Sequence, residues 1–250
     1  MTPTDPTRAL ALDGGRTGAL LVHGFTGSPA SMTPWGRYLN QHGLTVRVPR
    51  LPGHGTTWQE MNRTTWHDWY AEVDAALTEI REHCDHVVVG GLSMGGGLAL
   101  RLAEQRPDDV DALALVNPAV QSADKRLLAV PLLRHLLPSI PGIGNDVKKP
   151  GVDEGGYDRT PLHALHSMRQ LWADVRAHLD QVRAPVLLLR STVDHVVDPT
   201  SGATINRLVT APVREVMLDD SYHVATLDND AETIFAESLA FAEEHAGHVR

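Results

Sequence analysis

A chain of 250 residues, 42% of them hydrophobic, is long enough to seal one substantial core, and α/β proteins of this size are commonly a single domain. Its 31 acidic against 22 basic residues give a formal charge of −9, which repels phosphate backbones and argues against a nucleic-acid partner. The single cysteine, Cys84, excludes an internal disulfide, and no apolar run approaches membrane-spanning length.

In chain order, the start from Met1 to Pro6 has neither the basic nor the apolar region of an export signal, which predicts a cytoplasmic protein without stable membrane insertion. Short β-branched runs then alternate with longer amphipathic stretches. Strands are predicted over Ala19 to His23, Leu44 to Val48, Val87 to Gly91, Ala112 to Asn117, Val186 to Ser191 and Val213 to Leu218. Helices are predicted over Ser31 to Gln41, Thr65 to His83, Met94 to Gln105, Thr200 to Leu208 and Asp230 to His245, with Pro107 stopping the third. This alternation predicts an α/β fold, a mostly parallel central sheet with helices on both faces and ligands at the carboxyl ends of the strands.

Residues 121 to about 180 break the pattern and carry no strand signal. An apolar run from Leu127 to Ile143, punctuated by Pro131, Pro138 and Pro141, gives way to a charged, glycine-containing stretch and a helix around Leu162 to Leu179. An insertion between two strands on the ligand side reads as a small cap over the site. Its leucines pack the cap onto the body, line an acyl pocket, or do both.

The most informative stretch is Gly91-Leu92-Ser93-Met94-Gly95, which follows Val87-Val88-Val89 and opens an apolar helical run. In a strand, sharp turn and helix of this kind a G-x-S-x-G serine stands clear of the sheet as a nucleophile. The turn strains the serine backbone, and glycines two residues to either side relieve the crowding. The Met94 N–H, at the helix start, then points where a reacting carbonyl oxygen gains charge.

A serine hydroxyl needs a base to take its proton and a carboxylate to orient that base. Asp194 follows the strand Val186 to Ser191, and His223 follows the strand Val213 to Leu218, the chain order serine, acid, histidine expected behind such an elbow. Asp198, Asp219 and Asp220 compete with Asp194, Asp198 best as a helix cap. His223 stands out among 14 histidines because it lies between the last strand and the last helix. A second oxyanion N–H is expected from Phe25 in His23-Gly24-Phe25-Thr26-Gly27, where His23 buttresses the loop.

With these residues in place the chain resembles the α/β-hydrolase superfamily over nearly its whole length. Within it, His23-Gly24-Phe25-Thr26-Gly27-Ser28-Pro29, Leu51-Pro52-Gly53-His54-Gly55-Thr56, Gly91-Leu92-Ser93-Met94-Gly95-Gly96 and the string from Ser221 to Asp228 look like the small bacterial carboxylesterases and monoacylglycerol lipases. The resemblance implies hydrolysis of a carboxylic ester through an acyl-enzyme at Ser93, Asp194 and His223. It also implies a small cap, no cofactor or metal, and oxyanion N–H groups from Phe25 and Met94. The stretch from Val152 to Pro161 is similar to one whose glutamate binds glycerol hydroxyls, which maps to Glu154 and makes monoacylglycerol the expected small-molecule substrate, with transient contact at lipid aggregates. Ser191 departs from the pattern, since relatives often carry glycine there. A broad carboxylesterase uses the same residues, and a hydrolase-fold binding protein could keep them with negligible turnover.

Overall fold

The computed structural model describes residues 5–142 and 145–246. Ile143, at the end of the predicted apolar run, and residues 1–4 of the predicted leaderless start lie outside them. The first half of the chain runs through β1 (Leu10–Leu12), β2 (Thr17–Val22), α1 (Thr33–Gln41), β3 (Thr45–Val48), α2 (Trp58–Met61), α3 (Trp66–Arg81), β4 (His86–Leu92), α4 (Met94–Gln105) and β5 (Ala112–Val116). Then follow α5 (Val130–Leu133), β6 (Ser139–Pro141), β7 (Arg159–Pro161), α6 (Leu162–Arg176), β8 (Val186–Ser191), α7 (Thr200–Leu208), β9 (Val213–Leu218) and α8 (Ala231–His245).

The central sheet has the order β1-β3-β2-β4-β5-β8-β9, parallel except for the antiparallel edge strand β1. Because successive strand residues face opposite ways, Leu20 and Val22 enter one core with Val87 and Val89, while Ala19 and Leu21 enter the other with Val88. Helices α3, α4, α6 and α7 feed the first core, and α1 and α8 the second. Trp35 and Trp69 are sealed one on each side. Fully burying a large apolar side chain contributes about 1.5–3 kcal/mol, so both faces of the sheet are firmly covered. Helix α3 starts where Thr65 and Asp68 satisfy each other's backbone N–H groups, the reciprocal cap that Thr-x-x-Asp permits.

The structure departs from two expectations. The region from 121 to 180 does contain strands, since β6 and β7 pair antiparallel as a separate two-stranded sheet. Each is only three residues long and ends in proline, so the pairing comes from tertiary closure that no local pattern announces. The predicted first helix also begins later, because Pro29–Ser31 form a 3-10 turn before α1.

The chain leaves β2 toward β3 on one side, and leaves β4 toward β5 on the other. Their carboxyl ends therefore flank the switch point at which an open α/β sheet makes its ligand crevice.

Candidate active site

Ser93 occupies that crevice, between β4 and α4, with φ 55° and ψ −118°. This positive φ is strained for a residue with a Cβ, and it persists because the surroundings over-determine it. The Ser93 N–H donates to Val116 O at 3.0 Å, while its carbonyl accepts from Gly96 and Ala119 at 3.0 Å. A Cβ at Gly95 would lie 2.1 Å from Val22 O, and one at Gly91 2.4 Å from Gly95 O. Both glycines are therefore obligatory, and the tight turn they permit leaves the serine no other conformation.

His223 Nδ1 donates to Asp194 Oδ2 at 2.8 Å, and both side chains are only 8% exposed. The second carboxylate oxygen, Oδ1, accepts the N–H groups of Val196 and Val197 at 2.8 Å each. Burial acts to raise the Asp194 pKa, but the bond to His223, the charge of that ring and the two N–H groups hold its carboxyl below the usual range. Burial likewise acts to depress His223, yet the hydrogen bond and charge of Asp194, reinforced by Glu154 and Asp146, carry the imidazole above its ordinary value. The competing acids are engaged elsewhere. Asp198 accepts the N–H groups of Thr200 and Ala123, Asp219 accepts the Thr192 hydroxyl, and Asp220 pairs with Lys148.

The His23–Gly27 loop lies against the serine, since a Cβ at Gly24 would stand 3.4 Å from Ser93 Cβ. Met94, the first residue of α4, has no carbonyl one turn back in its own helix to receive its N–H. Phe25 and Ser93 line a common cavity, and the Phe25 ring packs edge-on to Trp69. His23 is fully buried, donating Nδ1–H to Gly24 O and accepting the Leu51 N–H at Nε2, and burial lowers its pKa to about 4. It is a neutral brace for the loop, as expected.

The cavity, about 620 Å³, is bordered by Ser93, Asp194, His223 and Glu154. Its apolar wall includes Leu127, Val130, Leu133 and Ile140, whereas Leu128, Leu132 and Leu136 face outward at more than two-thirds exposure. Leu127 and Leu133 thus both line the cavity and pack against the core, whereas the three exposed leucines fill neither foreseen role. The Glu154 carboxylate approaches the loop after β2, with Oε2 3.8 Å from where a Gly27 Cβ would be. Burial pushes its pKa up, and the nearby His223 charge opposes that rise. Away from the cavity, ligand atoms of Glu104, Asp174 and His178 lie within 4.8 Å of one another, but Arg101 contacts both carboxylates, at 3.2 and 2.8 Å, and already supplies positive charge there.

Over residues 16–230 the chain matches the family described as serine aminopeptidase, S33. The chain belongs to this family, within the α/β-hydrolases. It is 41% identical over 238 residues to the thermostable monoacylglycerol lipase of Bacillus sp. (strain H-257), covering 94% of each chain. It is 26% identical over 233 residues to the carboxylesterase of Bacillus subtilis (strain 168), covering 92% of this chain and 94% of that one. A solved structure from LipS and LipT, two metagenome-derived lipolytic enzymes, superimposes with a TM-score of 0.93 at 39% identity, covering 96% of this chain and 98% of that one.

Asn117, at φ 43°, uses its side chain to receive the Ser191 N–H at 2.8 Å and to donate to Ser191 Oγ and His223 O. Ser191, the departure from glycine, in turn donates Oγ–H to Tyr222 O at 2.8 Å, so the extra hydroxyl ties β8 to the histidine loop. Asp146, in the insertion, accepts the His223 N–H, and Asp228, at the end of the histidine loop, accepts the N–H groups of Lys148 and Lys149 in the insertion. An asparagine just after a strand was the available signal for Asn117, because its side chain tolerates the left-handed region.

Proposed function

We propose that the chain is a carboxylic ester hydrolase acting on monoacylglycerol, with Ser93, His223 and Asp194 as nucleophile, base and orienting acid. The observation that carries this reading is one cavity bordered by a strained serine, a carboxylate-bound histidine, an apolar wall and a second carboxylate at Glu154. His223 Nε2 takes the Ser93 proton as Oγ attacks the ester carbonyl carbon, and the Phe25 and Met94 N–H groups receive the oxyanion. Collapse expels the glycerol oxygen, which takes the proton from His223. Water then gives its proton to the same nitrogen and adds to the acyl carbon; collapse breaks the bond to Ser93 Oγ, which takes the proton back from His223 as the fatty acid leaves, while Asp194 keeps Nδ1 protonated throughout.

In this reading the whole chain is one catalytic domain, and residues 121–180 form a cap whose inward leucines receive the acyl chain. Glu154 accepts the two free glycerol hydroxyls. The likeness to a monoacylglycerol lipase over 94% of the chain favours this substrate. The likeness to a carboxylesterase supports a second reading, in which the alcohol side is unselective. Turnover of a monoacylglycerol, a diacylglycerol and a short-chain ethyl ester, with mapping of a fluorophosphonate label, tests both. Monoacylglycerol preference and a label on Ser93 are expected; equal turnover of ethyl ester and monoacylglycerol favours the second reading, and a labelled peptide without Ser93 overturns the nucleophile.

A further inference from the structure

Asp146, within the insertion, meets both loops that carry the His223–Asp194 pair. Its Oδ2 accepts the backbone N–H of His223 at 3.1 Å and that of His195 at 3.3 Å. Its Oδ1 accepts Nδ1–H of the His195 ring at 2.8 Å, and its carbonyl accepts the Val224 N–H at 3.1 Å. The Asp146 side chain is only 12% exposed, so these bonds form largely out of water. Just beyond, the N–H groups of Lys148 and Lys149 donate to Asp228 at 2.6 and 2.8 Å, and Asp228 also accepts the Tyr222 N–H at 2.9 Å. The segment from Asp146 to Lys149 is thus bonded to the histidine loop at His223, Val224 and Asp228.

These bonds do what the sheet does not. Strands β8 and β9 end at Ser191 and Leu218, so the segments carrying Asp194 and His223 run beyond the last rung of their ladder. Asn117 and Ser191 tie the histidine loop to the ends of β5 and β8 through His223 O and Tyr222 O, but neither bonds to the loop carrying Asp194. A carboxylate that accepts charge-assisted bonds from the main chain of both loops fixes their separation instead. Alignment is worth holding, because displacement of a reacting group by about 1 Å costs on the order of a hundredfold in rate.

We propose that Asp146 is a positioning residue, the clamp by which the insertion holds the His223 loop and the Asp194–His195 loop in register for proton transfer. This rests on the proposed roles of Ser93, Asp194 and His223. Asp146 acts through those residues and not on the substrate. The charged groups acting on His223 are Asp194, Glu154 and Asp146, so loss of Asp146 also removes one of three carboxylates that favour the imidazolium.

The test compares wild type, Asp146→Ala and Asp146→Asn by the rate of fluorophosphonate labelling of Ser93, by kcat and KM per labelled site on monoacylglycerol and a p-nitrophenyl ester, and by the pH profile of each. For Asp146→Ala we expect labelling rate and kcat to fall about ten- to a hundredfold on both substrates, with KM changed less than about threefold. Asp146→Asn, which keeps one acceptor oxygen, restores part of kcat, and in both variants the acid limb moves to lower pH. Should the alanine variant fail to fold, the asparagine variant alone decides, by its acid limb and its kcat. Unchanged labelling rate and kcat per site, with an unmoved acid limb and only a lower Tm, overturn the clamp and leave Asp146 a structural tie. If wild type is labelled at Ser93 but turns over neither ester, the ester reading fails, and the clamp is still judged by labelling rate.

Discussion

The 2.8 Å bond from His223 Nδ1 to Asp194 Oδ2 decides which imidazole nitrogen is free. A carboxylate can only accept, so Nδ1 carries the hydrogen and Nε2 is the basic nitrogen of the neutral ring.

That tautomer gives the pH dependence its sign. The base form exists above the His223 pKa, which lies higher than the ordinary 6.5 because Asp194 overcomes burial. We expect kcat/KM to fall with acid along a limb whose midpoint is above 6.5, and replacement of Glu154 by Gln to move that midpoint down by removing a favouring charge. A kcat/KM profile flat from about pH 5 to 8, with chemistry limiting, excludes a histidine base.

Substrate choice is tested at the same residue on the alkaline plateau, where the protonation effect is absent. A carboxylate loses charge-assisted bonds worth about 1.5–3 kcal/mol each when it becomes an amide. Glu154→Gln should therefore lower kcat/KM for monoacylglycerol about tenfold or more, with a several-fold smaller loss on a p-nitrophenyl ester. Equal losses on the two substrates remove the glycerol-binding role.

His23 predicts a change of stability rather than rate. Its folded pKa, about 4, lies below the ordinary 6.5, so between those values the unfolded chain binds the extra proton. Its contribution is complete above pH 6.5 and is lost as pH falls toward 4, in total about 3 kcal/mol at most. Glu104, pushed up to about 8 by burial, works in the opposite sense over much of the same range. The informative quantity is therefore the difference between wild type and His23→Gln in urea-unfolding free energy from pH 7 to 4.5. The variant should lose stability with acid less steeply, by up to about 1.4 kcal/mol per pH unit. Parallel curves count against a buried neutral His23.

How much of this is legible in the sequence depends on where each instruction resides. The ends of β8, β9, α4 and α7 fall where local pattern puts them, because turn residues and periodicity mark those boundaries. The approach of Asp194 to His223 is equally legible, since parallel strands bring both following loops to one edge. Leu10–Leu12 is too short to show a period and becomes a strand only by pairing with Thr45–Val48. The partners of Asn117 and Asp146 are illegible for a related reason. Each acts through main-chain groups tens of residues away, and an acceptor's partner leaves no trace in neighbouring residue types.

The left-handed Ser93 has a consequence for evolution under heat. Holding a residue with a Cβ at φ 55° costs about 1–3 kcal/mol, and the cost is present whether or not an ester is bound. Glycine at that position would shed the strain while keeping the main-chain bonds of the turn, offset in part by the freer unfolded chain. Ser93→Gly is expected to be inert and to melt at a higher temperature than wild type; an unchanged or lower Tm would mean that the elbow stores little. Selection for thermal endurance alone would thus wear away the proposed nucleophile, and only continued selection for turnover keeps a serine at this strained turn.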